Sequence, residues 1–99
     1  MIFVTAQPES LAIAASRLAA IGSTLAAQNA ANAAPMTEVA PAAADEVSLL
    51  TAAQFASHAQ TFQAVSAQAA AMHENFVATL QSSAGSYAVT EAANAAATR

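Results

Sequence analysis

From Glu46 to Ala84 the chain runs for thirty-nine residues without a glycine or a proline. Alanine, the strongest helix former, makes up 33 of the 99 residues overall, so this stretch has one regular solution, a long α-helix. Asp45 is placed as its N-cap and Glu46 lies in its first turn, where an acid suits the helix macrodipole. The helix is expected over 45–84, ending before Gly85. A tail, 85–99, then forms one more turn before an alanine-rich end that frays from Ala92. Upstream, Pro8 fits the first position of another helix, where its missing N–H costs nothing, and Glu9 follows in the first turn. That helix is expected over 8–34, stopping before Pro35, with a length of about 40 Å at ~1.5 Å per residue. Pro35 and Pro41 lie in the connector, 35–44. The chain is long enough for one domain, and two long helices joined by so short a connector must fold back as an all-α antiparallel hairpin.

Each helix carries apolar residues at alternating intervals of three and four. In the first these are Leu11, Ala14, Leu18, Ile21 and Leu25, leading to Gln28. In the second they are Phe55, His58, Phe62, Val65, Ala69, Met72, Phe76 and Thr79, with Val77 and Leu80 on the flank. Leu11, Leu18, Ile21, Leu25, Phe55, Phe62, Val65, Met72, Phe76 and Leu80 are therefore the expected helix-packing and partner-binding residues. A hairpin buries one side of each helix, and alanine buries little area wherever it sits. The remaining apolar surface, including some of Leu49, Leu50, Val77 and Leu80, asks for further helices. A four-helix-type bundle completed by a second hairpin answers that need. The partner can be another protein or a second copy of this chain. A hairpin lying on a lipid surface is a further reading of the same apolar faces.

Charge and composition exclude much else. The formal net charge is −4, and Arg17 and Arg99 are the only Lys or Arg residues. Nucleic-acid backbones and anionic membranes both require clustered cations. With no cysteine there are no disulfides, thiol nucleophiles or thiolate metal sites. The N-terminus lacks the basic region and apolar run of a Sec signal peptide. The uncharged run from Val47 to His73 contains Gln54, His58, Gln60, Gln63 and Gln68, too polar a set for a membrane span. His58 and His73 are fifteen residues apart, about four turns, and cannot share an ion. His58 is expected at a polar interface position and His73 facing solvent. No Gly-x-Ser-x-Gly motif is present, and two glycines make no phosphate-binding loop. The chain reads as non-enzymatic, with no cofactor, no metal and no small-molecule substrate.

Tyr87, the sole tyrosine, is followed four residues later by Glu91, the last acid. This spacing puts both side chains on one face of a helical turn. One reading is a helix-terminal staple beside a solvated acid. The other is an address for an export apparatus. Acids make up roughly 12% of average chains, so about one tyrosine in eight has such a neighbour by chance. The pair acquires meaning only from the rest of the chain.

That context is a family resemblance. Phe3-Val4 followed by Gln7-Pro8-Glu9-Ser10-Leu11 resembles the start of mycobacterial PE proteins, named for their Pro-Glu. Ala33-Ala34-Pro35 and the run from Val39-Ala40-Pro41 through Asp45-Glu46-Val47-Ser48 resemble the connector of that family. Gln54-Phe55, Val65-Ser66-Ala67-Gln68-Ala69, Phe76-Val77 and Gly85-Ser86-Tyr87 extend the likeness over the whole chain. Ile2 stands where serine is usual. The resemblance implies a helical hairpin that pairs with a PPE protein in a heterodimeric bundle and is exported through ESX, the type VII secretion machinery. It places the family's Tyr-x-x-x-Asp/Glu secretion signal on Tyr87 and Glu91. A Trp-x-Gly turn beside it must come from the PPE partner, because this chain has no tryptophan. A cytosolic EspG chaperone would act mainly through that partner. The connector and C-terminal wording are closest to PE proteins handled by the fifth ESX system. No glycine-rich or enzymatic segment follows within the sequence, as in a stand-alone PE protein or in the PE piece of a longer one. The implied location is cytoplasmic before export and secreted or at the cell surface afterwards.

Overall fold

A computed structural model describes residues 5–98 of the chain. Phe3 and Val4 of the sequence motif lie outside the described residues. Two helices account for the fold, α1 at Pro8–Thr37 and α2 at Glu46–Ala97. Helix α1 starts at Pro8 as expected, and the Leu11 N–H donates to the Gln7 carbonyl at 3.2 Å. The cap of α2 is also the expected one. Asp45 Oδ2 accepts the Ser48 N–H at 3.3 Å, and the Asp45 carbonyl accepts the Leu49 N–H at 3.1 Å. Hydrogen bonds to the carboxyl, from the Ser48 side chain first and its N–H next, hold Asp45 below the usual carboxylate range.

The far ends of both helices differ from expectation. Helix α1 passes through Pro35 and closes at Thr37. A proline this close to a C-terminus deprives only one carbonyl of its N–H partner. The turn around it is held from the other side, by the Thr37 hydroxyl donating to the Ala33 carbonyl at 2.7 Å and the Glu38 N–H donating to the Ala34 carbonyl at 2.9 Å. The connector is correspondingly 38–45. Helix α2 does not stop before Gly85 but continues to Ala97. Gly85 terminates a helix only by turning left-handed, and no glycine among the described residues has positive φ. The alanine-rich sequence beyond it has high helix propensity and propagates the helix.

The chain divides into two compact units. One joins the residues up to Gly22 with those from His73 onward; the other is Ser23–Met72. In the first unit the helices are antiparallel, since Ala6 meets Glu91 whereas Leu18 meets His73. Its most buried residues are Ala15, Val77 and Ala84, joined by half-buried Leu11, Leu18, Gly22, His73, Leu80 and Glu91. In the second unit the connector returns the chain from α1 to α2. Ala52 and Ala59 are buried there, and Ser48, Ala56, Gln63 and Ser66 are half-buried. The core is therefore made of small residues. Alanine, serine and glycine let two helix backbones approach closely, and no bulky side chain among the described residues is fully enclosed.

Candidate partner-facing surface and the tyrosine–glutamate turn

The inner stripe of α2 reads 52, 56, 59, 63 and 66, then 73, 77, 80 and 84. The stripe of large residues reads 55, 58, 62, 65, 69, 72, 76 and 79. The two run side by side, one residue and therefore about 100° apart on the helix. The larger residues point away from the hairpin's own core. Phe55, Phe62, Val65, Met72 and Phe76 are exposed, from 44% at Phe62 to 71% at Met72. On α1, Ile21 and Leu25 are likewise exposed, whereas Leu11 and Leu18 are half-buried, as is Leu80 on α2. Val77, expected as a flanking residue with free apolar surface, is instead buried, 8% exposed, because it occupies the inner stripe. Leu49 and Leu50 are exposed as expected.

His73 departs from its expected, solvent-facing environment, whereas His58 stands on the outward stripe. His58 is exposed. His73 is half-buried, and its Nε2–H donates to the Leu18 carbonyl at 2.6 Å. The sequence signal for this arrangement was available in Gly22. A helical side chain covers the turn before its own Cα, so a glycine four residues after Leu18 uncovers the Leu18 carbonyl. Among the described residues no group of three His, Asp or Glu is placed to hold a metal ion.

Tyr87 and Glu91 lie on consecutive turns of α2, with the helix uninterrupted between them. Tyr87 is 49% exposed. It shares an open, hydroxyl-rich face of α2 with Ser82, Ser83, Ser86 and Thr90. Thr90 directs its hydroxyl back to the Ser86 carbonyl at 3.0 Å, an internal bond of the helix. Glu91 is half-buried, and its Oε1 accepts the Ala6 N–H at 3.1 Å. The two members of the pair are thus unequal, one open to solvent and one engaged with the segment before α1.

The sequence pattern of the PE family matches residues 4–94. The chain belongs to the PE family. Along its length this PE chain is 66% identical over 97 residues to the PE family protein PE13 of Mycobacterium tuberculosis H37Rv, an alignment covering 98% of each. It is 55% identical over 97 residues to the PE family protein PE8 of the same strain, with 98% of this chain and 35% of PE8 aligned. It is 58% identical over 96 residues to the PE-PGRS family protein PE_PGRS33 of that strain, with 97% of this chain and 19% of that protein aligned. The chain spans almost all of PE13, about a third of PE8 and about a fifth of PE_PGRS33.

Proposed function

We propose that this PE chain is a non-enzymatic subunit that forms an obligate heterodimer with a PPE protein and leaves the cell through a type VII (ESX) secretion system. The observation that carries the reading is the outward stripe of α2. The hairpin packs through alanine and serine and leaves Phe55, Phe62, Met72 and Phe76 exposed at helical spacing. Large apolar side chains in a regular row give a helical partner the ridges it packs against. Tyr87 and Glu91 serve as the C-terminal secretion signal, completed by a Trp-x-Gly turn of the PPE protein. An EspG-type chaperone engages the pair mainly through PPE before export, and the chain ends secreted or on the cell surface.

Expressed alone the chain is expected to be insoluble or poorly folded; expressed with its PPE mate it gives a stable 1:1 complex. A cooperatively folding monomer would sink the reading. In the secreting host, Tyr87→Ala blocks export of the intact complex, and normal export of that variant removes the signal assignment.

One observation favours the surface form of a second reading, a structural protein that is either a homo-oligomeric bundle or a hairpin lying on lipid. Helix α1 has 30 residues, a mean hydropathy of 1.4 in its most apolar stretch and only 6% of that stretch buried, long and apolar enough to cross a membrane by length and composition. Flotation of the purified chain with neutral vesicles decides for the surface reading, and light scattering decides for a homo-oligomer.

A further inference from the structure

Ala6 and Glu91 are separated by 85 positions in sequence and joined by one hydrogen bond, from the Ala6 N–H to Glu91 Oε1. Ala6 lies two residues before the start of α1, near the positive end of that helix, where a carboxylate is favoured electrostatically. Tyr87, one turn earlier on α2, stays half-exposed on an open face of that helix. The acid is therefore occupied within the chain while the tyrosine is not.

We propose that Glu91 is a positioning residue, a latch that holds residues 5–7 against the last turns of α2. What the export machinery meets is then Tyr87 beside a fixed N-terminal segment, and the carboxylate acts through that segment. The inference rests on the export reading of Tyr87 and Glu91 given above and assigns different tasks to the two residues. It requires of residue 91 an acceptor oxygen at the right reach, whereas direct recognition of the acid requires its charge.

The test uses the full chain co-expressed with its PPE partner and reads two things, exchange of the Ala6 amide in the purified complex and the amount exported. Glu91→Ala is expected to speed Ala6 exchange by about tenfold or more and to reduce export. Glu91→Gln, which keeps the acceptor oxygen and loses the charge, is expected to retain both the protection and most of the export. Ala6→Pro, which removes the donor and leaves Tyr87 and Glu91 untouched, is expected to reduce export as Glu91→Ala does, with no further loss in the double variant. The latch is overturned if Ala6 exchanges freely in the wild-type complex. It is equally overturned if Glu91→Gln protects Ala6 yet abolishes export, or if Ala6→Pro folds, pairs and is exported normally. In those cases Tyr87→Ala still reports on the signal reading: blocked export keeps that reading and removes only the latch. Normal export of both Tyr87→Ala and Glu91→Ala removes the signal reading itself.

Discussion

His73 on α2 reaches the Leu18 carbonyl on α1, 2.6 Å away, through the space that Gly22 leaves open. A Cβ at position 22 would lie 2.7 Å from His73 Cδ2 and 2.8 Å from Nε2. The imidazole, the bare backbone and the carbonyl therefore form one fitted contact between the two helices, and each part depends on the others.

Gly22→Ala puts two effects in competition. Alanine raises helix propensity by about 1 kcal/mol. Against this stand the displaced ring, the lost hydrogen bond and the local overpacking, together about 2–4 kcal/mol. The variant is expected to be less stable by roughly 1–3 kcal/mol. Thermal unfolding of the co-expressed complex, followed by far-UV circular dichroism, measures it. In a His73→Ala background the same change is expected to turn neutral or stabilising, because the obstructing ring is gone. Equal costs in both backgrounds would show that the two residues are not coupled.

Gly85 presents the opposite case. A Cβ there meets nothing within 4 Å, and the residue sits inside a continuous helix. Gly85→Ala is expected to stabilise the chain by about 0.5–1 kcal/mol, through helix propensity and a less flexible unfolded state. A lower unfolding temperature in Gly85→Ala would mean that this glycine has a conformational task outside the helix.

The cap at Asp45 makes the start of α2 sensitive to acid. Its folded carboxyl titrates below the ordinary carboxylate range because the charged form accepts hydrogen bonds, first from Ser48. The resulting stabilisation is full above that ordinary range and disappears as pH falls through the lower, folded value. Asp45→Asn is expected to retain the cap but lose this acid dependence, and Asp45→Ala to lower the unfolding midpoint at neutral pH. Unfolding scans of the co-expressed complexes between neutral and strongly acidic pH separate the three proteins.

The two stripes of α2 are expected to respond to substitution in different assays. Phe62→Ser or Phe76→Ser is expected to leave the packing between α1 and α2 intact, because neither side chain is buried in it. Under the proposed pairing, either is expected to weaken capture of a co-expressed PPE protein by tenfold or more. Ala15→Leu puts a bulky side chain where the residue has 0% exposure, and is expected to cost about 1–3 kcal/mol of stability. Retention on a tagged partner, measured beside circular dichroism, distinguishes a lost contact from a lost fold.

The fold class was plain in the sequence because its determinants are local. The absence of breakers over 46–84, Pro8 at the first helical turn and Asp45 as cap each act within one or two turns. Family wording added the hairpin's relatives independently of that physics. Side-chain size was a poorer guide to the interior. It favoured the stripe through Phe55, Phe62 and Phe76, but two lone helices draw together best through alanine, so the neighbouring stripe faces inward. Pro35 and Gly85 also misled as stop signals. Proline is tolerated one turn from an end, and glycine ends a helix only when the chain turns left-handed there. At the tyrosine–glutamate pair, spacing gave the shared helical face. The bond to Ala6 joins opposite ends of the sequence, and no local pattern announces it.

The one-residue offset between the two stripes makes α2 intolerant of changes in length. Inserting a single residue near Gln60 would carry Phe62, Val65, Met72 and Phe76 into the angular positions now held by Gln63, Ser66, His73 and Val77. From that point on the bulky row would turn inward and the row through Gln63, Ser66, His73, Val77 and Ala84 would leave it, though the composition would hardly change. Helix α2 therefore behaves as a ruler with a fixed phase, and length variation belongs to the connector at 38–45 and the turns beyond Glu91.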